Sequence, residues 1–239
     1  MGEDRSLKPI AILAGGLGTR LGNRARSTPK ALALVAGEPF IFHQLRLLAH
    51  HGARRVILCV GHRGHRIADA VGDGAKFGLE VRYSFDGARP IGTAAALRQA
   101  LDLLGDAFLV TYGDAYLRID YGAVEAHFEA SELPALMTVL RNDDAWAESN
   151  AVYQNGRVTA YDKRVKPIGA RWIDYGLLAF QRDVFDDEVG PTDLAEVCGE
   201  LAARGELAGY VAHERFYEIG TPEGLAATDA FLRCIRSAE

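Results

Sequence analysis

The sequence predicts an α/β fold with a largely parallel sheet and crossover helices. Short β-rich runs bounded by Gly, Asp or Pro alternate with helical patterns along the first 140 residues or so, which is typical of such a sheet. Apolar residues make up 49% and charged residues 25% of the 239 residues, as in ordinary globular proteins. A chain of this length can bury a substantial core in one large domain or two small ones.

Four runs carry the strand pattern in the first half. They are IAILA at 10–14, RVILCV at 55–60, FLVTY at 108–112 and ALMTVL at 135–140. Two apolar stripes at helical spacing lie between these strands, one over Pro39–His51 and one over 94–104. Both helices are amphipathic, and we expect each to face the core.

After about residue 141 the pattern becomes more antiparallel. NAVYQ-NG-RVTAYD predicts a hairpin with a type I′ turn at Asn155-Gly156, and RWIDYGLLAF at 171–180 predicts a further strand. Thr221 as N-cap and Pro222 as the first helical residue predict a final helix. Because no linker or repeat interrupts the sequence, we expect one domain over 1–239, with a first half to about residue 140 and a second half over about 141–239.

Charge and cysteine content limit the partners and the compartment. The formal charge of −5 gives no general attraction to nucleic acid or to an anionic membrane, so phosphate recognition requires a local cluster. Cys59, Cys198 and Cys234 lack the spacing of a zinc site or a disulfide framework, which favours a reducing cytoplasm. The apolar stretch at 9–14 is too short for a signal peptide or a membrane span, so export is not expected. A homo-oligomer is left open.

The segment IAILAGGLGTRLGNRARSTPKAL, residues 10–32, is the most informative about chemistry. A strand leads directly into GGLGTR at 15–20, where residues without side chains let backbone N–H groups approach an anion. Arg20 offers a planar fork of donors, and Lys30 offers a mobile positive charge. Leu21 excludes a Rossmann fingerprint, and no Gly-Lys-Ser/Thr completes a P-loop. A surface loop that merely needs turns is the alternative, but the carboxyl end of a strand favours phosphate.

This segment resembles the opening motif of the sugar-phosphate nucleotidyltransferase family, a strand followed by L-A-G-G-x-G-T-R-L and later by P-K. Residues 13–21 read LAGGLGTRL, and Pro29-Lys30 follow. The resemblance implies a Rossmann-like three-layer α/β/α sandwich with a mixed, mostly parallel sheet and a second-half lobe that contains a β-hairpin, the nucleotide-diphospho-sugar transferase fold. It also implies that several of these residues bind nucleotide, namely Leu13, Ala14, Gly15, Gly16, Gly18 and Thr19.

Two further segments of the first half fall in family order. PIGTA at 90–94 resembles the P-L-G-T-A segment, which implies that Gly92 and Thr93 line the nucleobase and ribose site. A helix N-terminus there also suits a polar ligand; an ordinary N-cap at Thr93 would explain the same residues. Tyr112-Gly113-Asp114 resembles the G-D motif, whose aspartate holds magnesium, although Asp114 as a simple turn residue is the alternative.

The second half offers a second acidic group. FYEIGTPE at 216–223 resembles the W/F-x-D-I-G-T-P-E segment, in which the acidic residue is a second ligand of the metal. Glu218 stands in place of that aspartate, and its longer side chain can still ligate Mg²⁺. The histidines and arginines of GHRGHR at 61–66 have no third metal ligand nearby in the sequence, so we interpret them as an ordinary loop-to-helix transition.

Residues for the sugar phosphate are expected in two places. Asp162-Lys163 resembles the family's E-K pair, whose lysine grips the sugar phosphate, with Lys166 as competitor and a solvated basic face as the alternative. Asp174, Tyr175 and Gly176 stand where relatives have N-A-G, which implies contact with sugar hydroxyls.

The resemblance therefore implies an enzyme that makes a nucleotide-activated sugar and pyrophosphate from a nucleoside triphosphate and a sugar 1-phosphate. Mg²⁺ is the implied cofactor, and the expected catalytic residues are Arg20, Lys30, Asp114 and Lys163. The short chain leaves no room for the appended domains of some relatives, so we expect a single activity. The compact form resembles enzymes that activate heptose or N-acetylmuramate phosphates, and among these we expect a D-glycero-D-manno-heptose 1-phosphate guanylyltransferase-like enzyme. The resemblance also implies that the half to about residue 140 binds the nucleotide and that the half over about 141–239 binds the sugar phosphate.

Three alternatives stay open. The first is a uridylyl- or cytidylyltransferase on another phosphorylated acceptor. The second is a nucleotide-sugar-dependent glycosyltransferase, although such enzymes usually show Asp-x-Asp where this chain has Asp114-Ala115-Tyr116. The third is a noncatalytic nucleotide-sugar sensor.

Overall fold

A computed structural model describes residues 6–16, 28–87, 89–145, 147–186, 190 and 192–236. Within them, the α-helices are α1 (Phe40–His50), α2 (Gly64–Val71), α3 (Thr93–Leu104), α4 (Tyr121–Ser131), α5 (Leu194–Arg204) and α6 (Pro222–Arg236). Short 3-10 helices lie at Lys30–Leu32, Ala75–Phe77 and Arg182–Phe185. None of the helices in these described segments has the length and apolar character needed to cross a membrane.

The strands form one large sheet and two small ribbons. In chain order they are β1 (Ile10–Leu13), β2 (Leu34–Val35), β3 (Glu38–Pro39), β4 (Arg55–Val60), β5 (Glu80–Phe85), β6 (Ala107–Tyr112), β7 (Ala115–Tyr116), β8 (Ala135–Arg141), β9 (Ala151–Gln154), β10 (Arg157–Tyr161), β11 (Trp172–Gln181), β12 (Leu207–Ala212) and β13 (Tyr217–Glu218). The large sheet has nine strands in the order β5-β4-β1-β6-β11-β8-β12-β10-β9. The ribbons pair β2 with β3 and β7 with β13.

The large sheet is mixed, as expected. Seven of its nine strands in the described residues run in one direction, and β10 and β11 run in the other. Strands β5, β4, β1 and β6 run parallel, and so do β8 and β12. Strand β11, however, enters antiparallel between β6 and β8, and the β9–β10 hairpin adds further antiparallel pairs. The reason is topological, because a hairpin and a long returning strand need no crossover helix.

Helices cover both faces of the large sheet. Ile10 and Ile12 of β1 lie in one buried cluster with the apolar residues of α1, α2 and α4. Ala11 and Leu13 lie in a second cluster, on the other face, with the apolar residues of α3 and α5. Because side chains alternate along a strand, one short strand contributes to both cores.

Two local predictions are confirmed. Asn155 and Gly156 both have positive φ, 49° and 79°, as a type I′ turn requires. Helix α6 begins at Pro222, and the N–H of Gly224 donates to the hydroxyl of Thr221 at 3.0 Å, which is the hydrogen bond of an N-cap.

Candidate active site

A cleft of about 410 Å³ lies where the parallel strands of the first half end. Its lining includes every described residue that the sequence assigns to nucleotide binding, namely Leu13, Ala14, Gly15, Gly16, Gly92 and Thr93. Lys30 and Asp114 line it as well. The remaining residues of the glycine segment, Gly18, Thr19 and Arg20, lie outside the described residues.

The turn after β1 packs closely against the turn after β4. A Cβ atom on Gly61 would lie 2.8 Å from the carbonyl oxygen of Gly15, and one on Gly15 would lie 2.6 Å from Oδ2 of Asp86. The N–H of Ala14 also donates to the carbonyl of Cys59 at 2.8 Å. Side chains at either glycine would separate the two turns, so these glycines are needed to bring the end of β5 to the same cleft.

The start of α3 is held by a neighbouring loop. Gly92 has φ +96°, and a Cβ there would lie 2.4 Å from the carbonyl oxygen of Thr192. That same oxygen accepts the N–H of Ala94 at 2.8 Å, so part of the helix N-terminus is already paired. Thr93 is the first helical residue and not the N-cap. Its hydroxyl donates to Asp193 at 3.2 Å and accepts the N–H of Leu194 at 2.8 Å.

A charged cluster occupies one end of the cleft. The ammonium of Lys30 pairs with the carboxylate of Asp114. Strand β13 runs beside β7, and the N–H of Ile219 donates to the carbonyl of Asp114 at 2.9 Å. The Cβ position of Gly220 is 3.2 Å from Lys30 Nζ and 3.3 Å from Glu218 Oε2, so these two groups are neighbours. A two-strand ribbon thus brings together acidic residues that are far apart in the sequence.

The donor set of this cluster fits magnesium. Mg²⁺ is usually held by one or two carboxylates together with substrate phosphates and water, and it prefers oxygen ligands. Asp114 and Glu218 supply two carboxylates beside an open cleft. The described residues hold no group of three or more His, Cys, Asp or Glu side chains that would form a closed protein site. The arrangement therefore suits a cation that is shared with a phosphorylated ligand.

Gln44 of α1 forms hydrogen bonds with the backbone around Asp114. Its side chain is 1% exposed, and its Nε2 donates to the carbonyls of Tyr112 at 2.8 Å and Ala115 at 3.0 Å. Its Oε1 is buried and has no hydrogen-bond partner among the described residues. One amide thus holds the backbone on both sides of Asp114.

A second polar cluster adjoins the cleft at Tyr112. The Lys163 ammonium donates to the Tyr112 hydroxyl at 3.0 Å and lies 3.3 Å from Oδ2 of Asp174. The Tyr161 hydroxyl donates to the same Asp174 oxygen at 2.9 Å. Tyr112 also lines the cleft, whereas Lys163 lies beside it, in the lining of an adjacent depression. Lys163 therefore contacts a residue of the cleft, Tyr112, without lining the cleft itself.

These contacts keep Lys163 charged and the tyrosines neutral. Burial lowers the pKa of Lys163, but the neighbouring Tyr112 and Asp174 outweigh it, so the pKa is raised above its usual value. Burial raises the pKa of Tyr112 and of Tyr161. A cation with 39% of its side chain exposed thus lies over neutral phenols, in reach of an anionic ligand.

The Asp174–Gly176 segment forms an irregularity in β11, where the register against β8 shifts between Asp174 and Leu178. The N–H of Gly176 donates to Asp174 Oδ1 at 2.9 Å, and this turns the carboxylate towards Lys163. Tyr175 faces the opposite core, where it is 1% exposed and its hydroxyl donates to the carbonyl of Arg118 at 3.1 Å. A sugar contact by its side chain does not fit this placement.

The competitor lysine lies elsewhere. Lys166 pairs with Asp144 at 2.5 Å and has no contact with the Tyr112 cluster among the described residues. Asp144 also accepts the N–H of Ser149 at 2.7 Å, so this pair stabilises a surface loop. Of the two candidates, Lys163 is the one that contacts a residue of the cleft.

The sequence analysis did not assign a role to three residues of this region, Gln44, Asp86 and Tyr112. Gln44 carries no signal, since it is one polar residue on the buried face of a helix. Asp86 does carry one, because it directly follows β5 just as Asp114 follows the turn after β6. Acidic residues at the ends of parallel strands meet at one edge of the sheet.

The chain is similar in sequence to several known proteins. The family model described as "Nucleotidyl transferase" matches residues 8–233. N-acetylmuramate alpha-1-phosphate uridylyltransferase of Neisseria meningitidis is 40% identical over 124 residues, which cover 52% of this chain and 53% of that protein. D-glycero-alpha-D-manno-heptose 1-phosphate guanylyltransferase of Campylobacter jejuni is 25% identical over 214 residues, which cover 89% of this chain and 94% of that protein.

A solved structure shares the fold. HddC from Yersinia pseudotuberculosis, complexed with GMP-PN, superposes with a TM-score of 0.79 at 23% identity, covering 95% of this chain and all of that one. The mannose-1-phosphate guanylyltransferase of Mycobacterium tuberculosis is longer, since a match over 92% of this chain spans 63% of that protein. The match to the Neisseria protein spans about half of each chain.

Proposed function

Since this chain belongs to the nucleotidyl transferase family, we propose that it joins a nucleoside triphosphate to a sugar 1-phosphate in the cleft at the ends of β1, β4, β5 and β6. The products are a nucleotide-activated sugar and pyrophosphate. The observation that carries the proposal is the convergence of Lys30, Asp114 and Glu218 beside the glycine turn. A polyphosphate and a divalent cation both match a site that combines carboxylates with a lysine.

The acceptor needs little activation. A phosphate monoester has a second pKa near about 6 and is mostly dianionic at neutral pH, so its oxygen is already a nucleophile. That oxygen attacks the α-phosphorus in line, the bond between the α-phosphorus and the bridging oxygen breaks, and pyrophosphate leaves with the electron pair. Catalysis is then placement and charge neutralisation, with no general base.

Each described residue has a role that its contacts support. Lys30 moves its ammonium from Asp114 to the α-phosphate as charge develops there. Asp114 and Glu218 would hold Mg²⁺, which when bound neutralises phosphate charge and orients the triphosphate. Lys163, held by Tyr112 and Asp174, would aim the sugar phosphate from the other side of Tyr112. Arg20 is assigned to the leaving pyrophosphate on the family motif alone.

For the finer specificity we propose a D-glycero-D-manno-heptose 1-phosphate guanylyltransferase-like reaction. The support is the Campylobacter relative, which this chain matches over 94% of its length. The main alternative is uridylyl transfer, which the Neisseria relative favours by its higher identity over a shorter match. A glycosyltransferase or a nucleotide-sugar sensor would be distinguished by the absence of pyrophosphate.

The test is a matrix of four nucleoside triphosphates against a panel of sugar 1-phosphates, with magnesium and with pyrophosphate detection. The expected result is pyrophosphate release with a heptose 1-phosphate and GTP. Asp114→Asn should lower turnover by about 10²-fold or more, since it removes a charged group that acts on the transition state. Near-normal turnover of that variant would refute its assignment to the metal, and no pyrophosphate with any pair would refute the proposed function.

A further inference from the structure

One peptide unit links the two acidic residues of the charged cluster. Its N–H belongs to Ile219 and donates to the carbonyl of Asp114 at 2.9 Å. Its carbonyl belongs to Glu218 and accepts the hydroxyl of Thr228 at 2.9 Å. The hydroxyl of a helix residue, the peptide after β13 and the carbonyl before β7 therefore form a continuous chain of hydrogen bonds. Each bond in such a chain polarises the next and strengthens it.

Thr228 lies on the inner face of α6 and is buried, with none of its surface exposed to solvent. Its hydroxyl oxygen lies 2.9 Å from the carbonyl oxygen of Glu218 and 2.8 Å from that of Gly224. A hydroxyl has one proton, so the two carbonyls share it. A bond to the carbonyl four residues earlier is common for threonine in a helix, whereas the bond to Glu218 is a tertiary contact. That contact ties α6 to the end of β13.

Gly224 allows the helix to approach this carbonyl. A Cβ atom on Gly224 would lie 2.7 Å from the carbonyl oxygen of Glu218, closer than real Cβ atoms come to a neighbouring atom. Alanine is more favourable than glycine in a helix, so helix propensity does not explain the glycine. Gly224 and Thr228 are four residues apart and therefore lie on the same side of α6. Two successive turns of the helix thus face the carbonyl of Glu218.

The other carboxylate has a support of the same kind. Gln44 holds the backbone on both sides of Asp114 through the carbonyls of Tyr112 and Ala115. Asp114 and Glu218 thus each have a buried polar side chain that fixes the adjacent backbone. Such placement suits Mg²⁺, which demands nearly ideal octahedral geometry at short distances. Carboxylates that bind metal are commonly held by partners of their own, and losing such a partner lowers metal affinity by about 10- to 100-fold.

We infer that Thr228 is a positioning residue for Glu218: its hydroxyl fixes the peptide that joins Glu218 to Asp114, so that both carboxylates reach one cation. This inference rests on the proposed function, which assigns the cation to these two residues. Without the hydroxyl, the peptide keeps its bond to Asp114 but is no longer tied to α6. Glu218 can then shift relative to Asp114, and the cation loses a ligand that was held at a fixed distance.

The experiment measures by calorimetry how much Mg²⁺ increases nucleotide affinity in the full chain and in Thr228→Val. GTP and UTP are each titrated with Mg²⁺ and with EDTA, without a sugar phosphate, so that either base preference gives a measurable result. Valine resembles threonine in shape but lacks the hydroxyl. The affinity measured with Mg²⁺ should fall by about tenfold or more in Thr228→Val. The affinity measured with EDTA should stay within about twofold, because the glycine turn and Lys30 are unchanged.

Two further variants test the same carbonyl. Thr228→Ser keeps the hydroxyl and should restore the Mg²⁺-dependent affinity to within about threefold of the unmodified chain. Gly224→Ala adds a methyl group against the Glu218 oxygen, so it should reproduce the loss even though alanine favours the helix. Gly224→Ala tests the inference if Thr228→Val does not fold, and thermal unfolding of each variant verifies its fold.

The matched control is Thr138→Val, in β8 of the large sheet. Thr138 is as fully buried as Thr228, and its hydroxyl donates to the carbonyl of Leu177 at 2.7 Å. Its replacement therefore removes a buried hydroxyl that makes a hydrogen bond of the same kind, but in a different part of the fold. Thr138→Val should lower the melting temperature and keep the gain in nucleotide affinity that Mg²⁺ provides.

The outcomes separate this inference from the proposed function. An unchanged Mg²⁺-dependent affinity in Thr228→Val or Gly224→Ala, an equal loss with Mg²⁺ and with EDTA, a loss that Thr228→Ser shares, or the same loss in Thr138→Val would overturn the inference. Pyrophosphate release by the unmodified chain could still stand in each case. Conversely, a loss confined to the Mg²⁺ titrations, with no pyrophosphate from any sugar phosphate, would support Thr228 and refute the proposed function.

Discussion

Asp174 and Asp86 are both carboxylates at the ligand-binding edge of the molecule, but their partners differ. The Asp174 oxygens accept the Tyr161 hydroxyl and the Gly176 N–H, each at 2.9 Å, and Lys163 Nζ lies 3.3 Å away. Asp86 has a buried Oδ1 without a partner among the described residues, and burial raises its pKa. Among the described residues, the protein pairs both oxygens of Asp174, whereas it leaves Oδ1 of Asp86 without a partner.

The difference shows how to separate a positioning carboxylate from a ligand-binding one. Burial alone does not do so, since both residues are at least partly buried. Hydrogen-bond pairing does separate the two kinds of carboxylate. A fully paired carboxylate holds its neighbours in place, whereas an unpaired buried carboxylate lowers the stability of the protein until a ligand pairs with it. Each prediction below removes a partner or an acceptor and asks which behaviour follows.

The largest effect is expected from removing the cation beside Asp174. Lys163→Ala should raise the KM for the sugar 1-phosphate by about 10- to 100-fold, because a hydrogen bond to a charged group contributes roughly 1.5–3 kcal/mol. The KM for the nucleotide should change little. Steady-state kinetics with each substrate varied in turn measures the two values.

Lys166→Ala is the matched control, since Lys166 pairs with the exposed Asp144 on a surface loop. It should leave both KM values within about twofold, as expected for an exposed ion pair. A larger effect from Lys166→Ala than from Lys163→Ala would reverse the assignment of the sugar-phosphate lysine.

Removing the paired carboxylate itself should lower stability. Asp174→Asn leaves Lys163 without its counter-charge and should reduce the free energy of unfolding by about 2 kcal/mol, less than for a fully buried pair because Lys163 is partly exposed. Urea denaturation measures the change. Asp144→Asn removes a carboxylate from the exposed pair with Lys166 and should have a smaller effect; equal losses would remove the distinction between the two pairs.

Much of the fold can be predicted from the sequence because its signals are local. The strands at 10–13, 55–60 and 107–112, the turn at Asn155-Gly156 and the start of α6 each depend on a few adjacent residues. The direction of β11 depends on where a ten-residue strand finds its partners, which is not a local property. The sequence therefore indicates a more antiparallel second half, but it does not indicate that β11 enters between β6 and β8.

The site was predictable to the extent that it is encoded in short motifs. Lys30 and Asp114 follow recognisable segments, and the structure brings both to the cleft. The side of the sheet that Tyr175 faces depends on an irregularity in β11. Whether Oδ1 of Asp86 has a hydrogen-bond partner depends on how distant segments pack around it. Missing partners are a property of the packed molecule and have no counterpart in a sequence pattern.

Gln44 is partly paired, and so lies between the paired Asp174 and the unpaired Asp86. Its Nε2 makes two hydrogen bonds, while its buried Oε1 makes none among the described residues. Gln44→Leu removes both donors from the backbone around Asp114 and should lower kcat by about tenfold, while nucleotide affinity without magnesium is kept. Gln154→Leu, on the exposed hairpin, is the control. A variant that loses kcat and nucleotide affinity equally would indicate a structural role only.

The smallest effect is expected from replacing the unpaired Asp86. Unlike Asp174→Asn, this change should raise the stability of the protein. Because burial raises the pKa of Asp86 in the folded state, ionising it costs stability, and the stability of the native protein falls as the pH rises through that raised pKa. Asp86→Asn cannot ionise, so it should unfold at nearly the same temperature as the native protein below about pH 3.9. Above the raised pKa it should be more stable.

At neutral pH the gain should be about 2–4 °C in Tm, which corresponds to roughly 1 kcal/mol for a chain of this size. Calorimetric scans of both proteins between pH 3.5 and 7.5 measure the difference. A Tm difference that does not depend on pH would mean that Asp86 is already paired in the free protein, and it would then resemble Asp174.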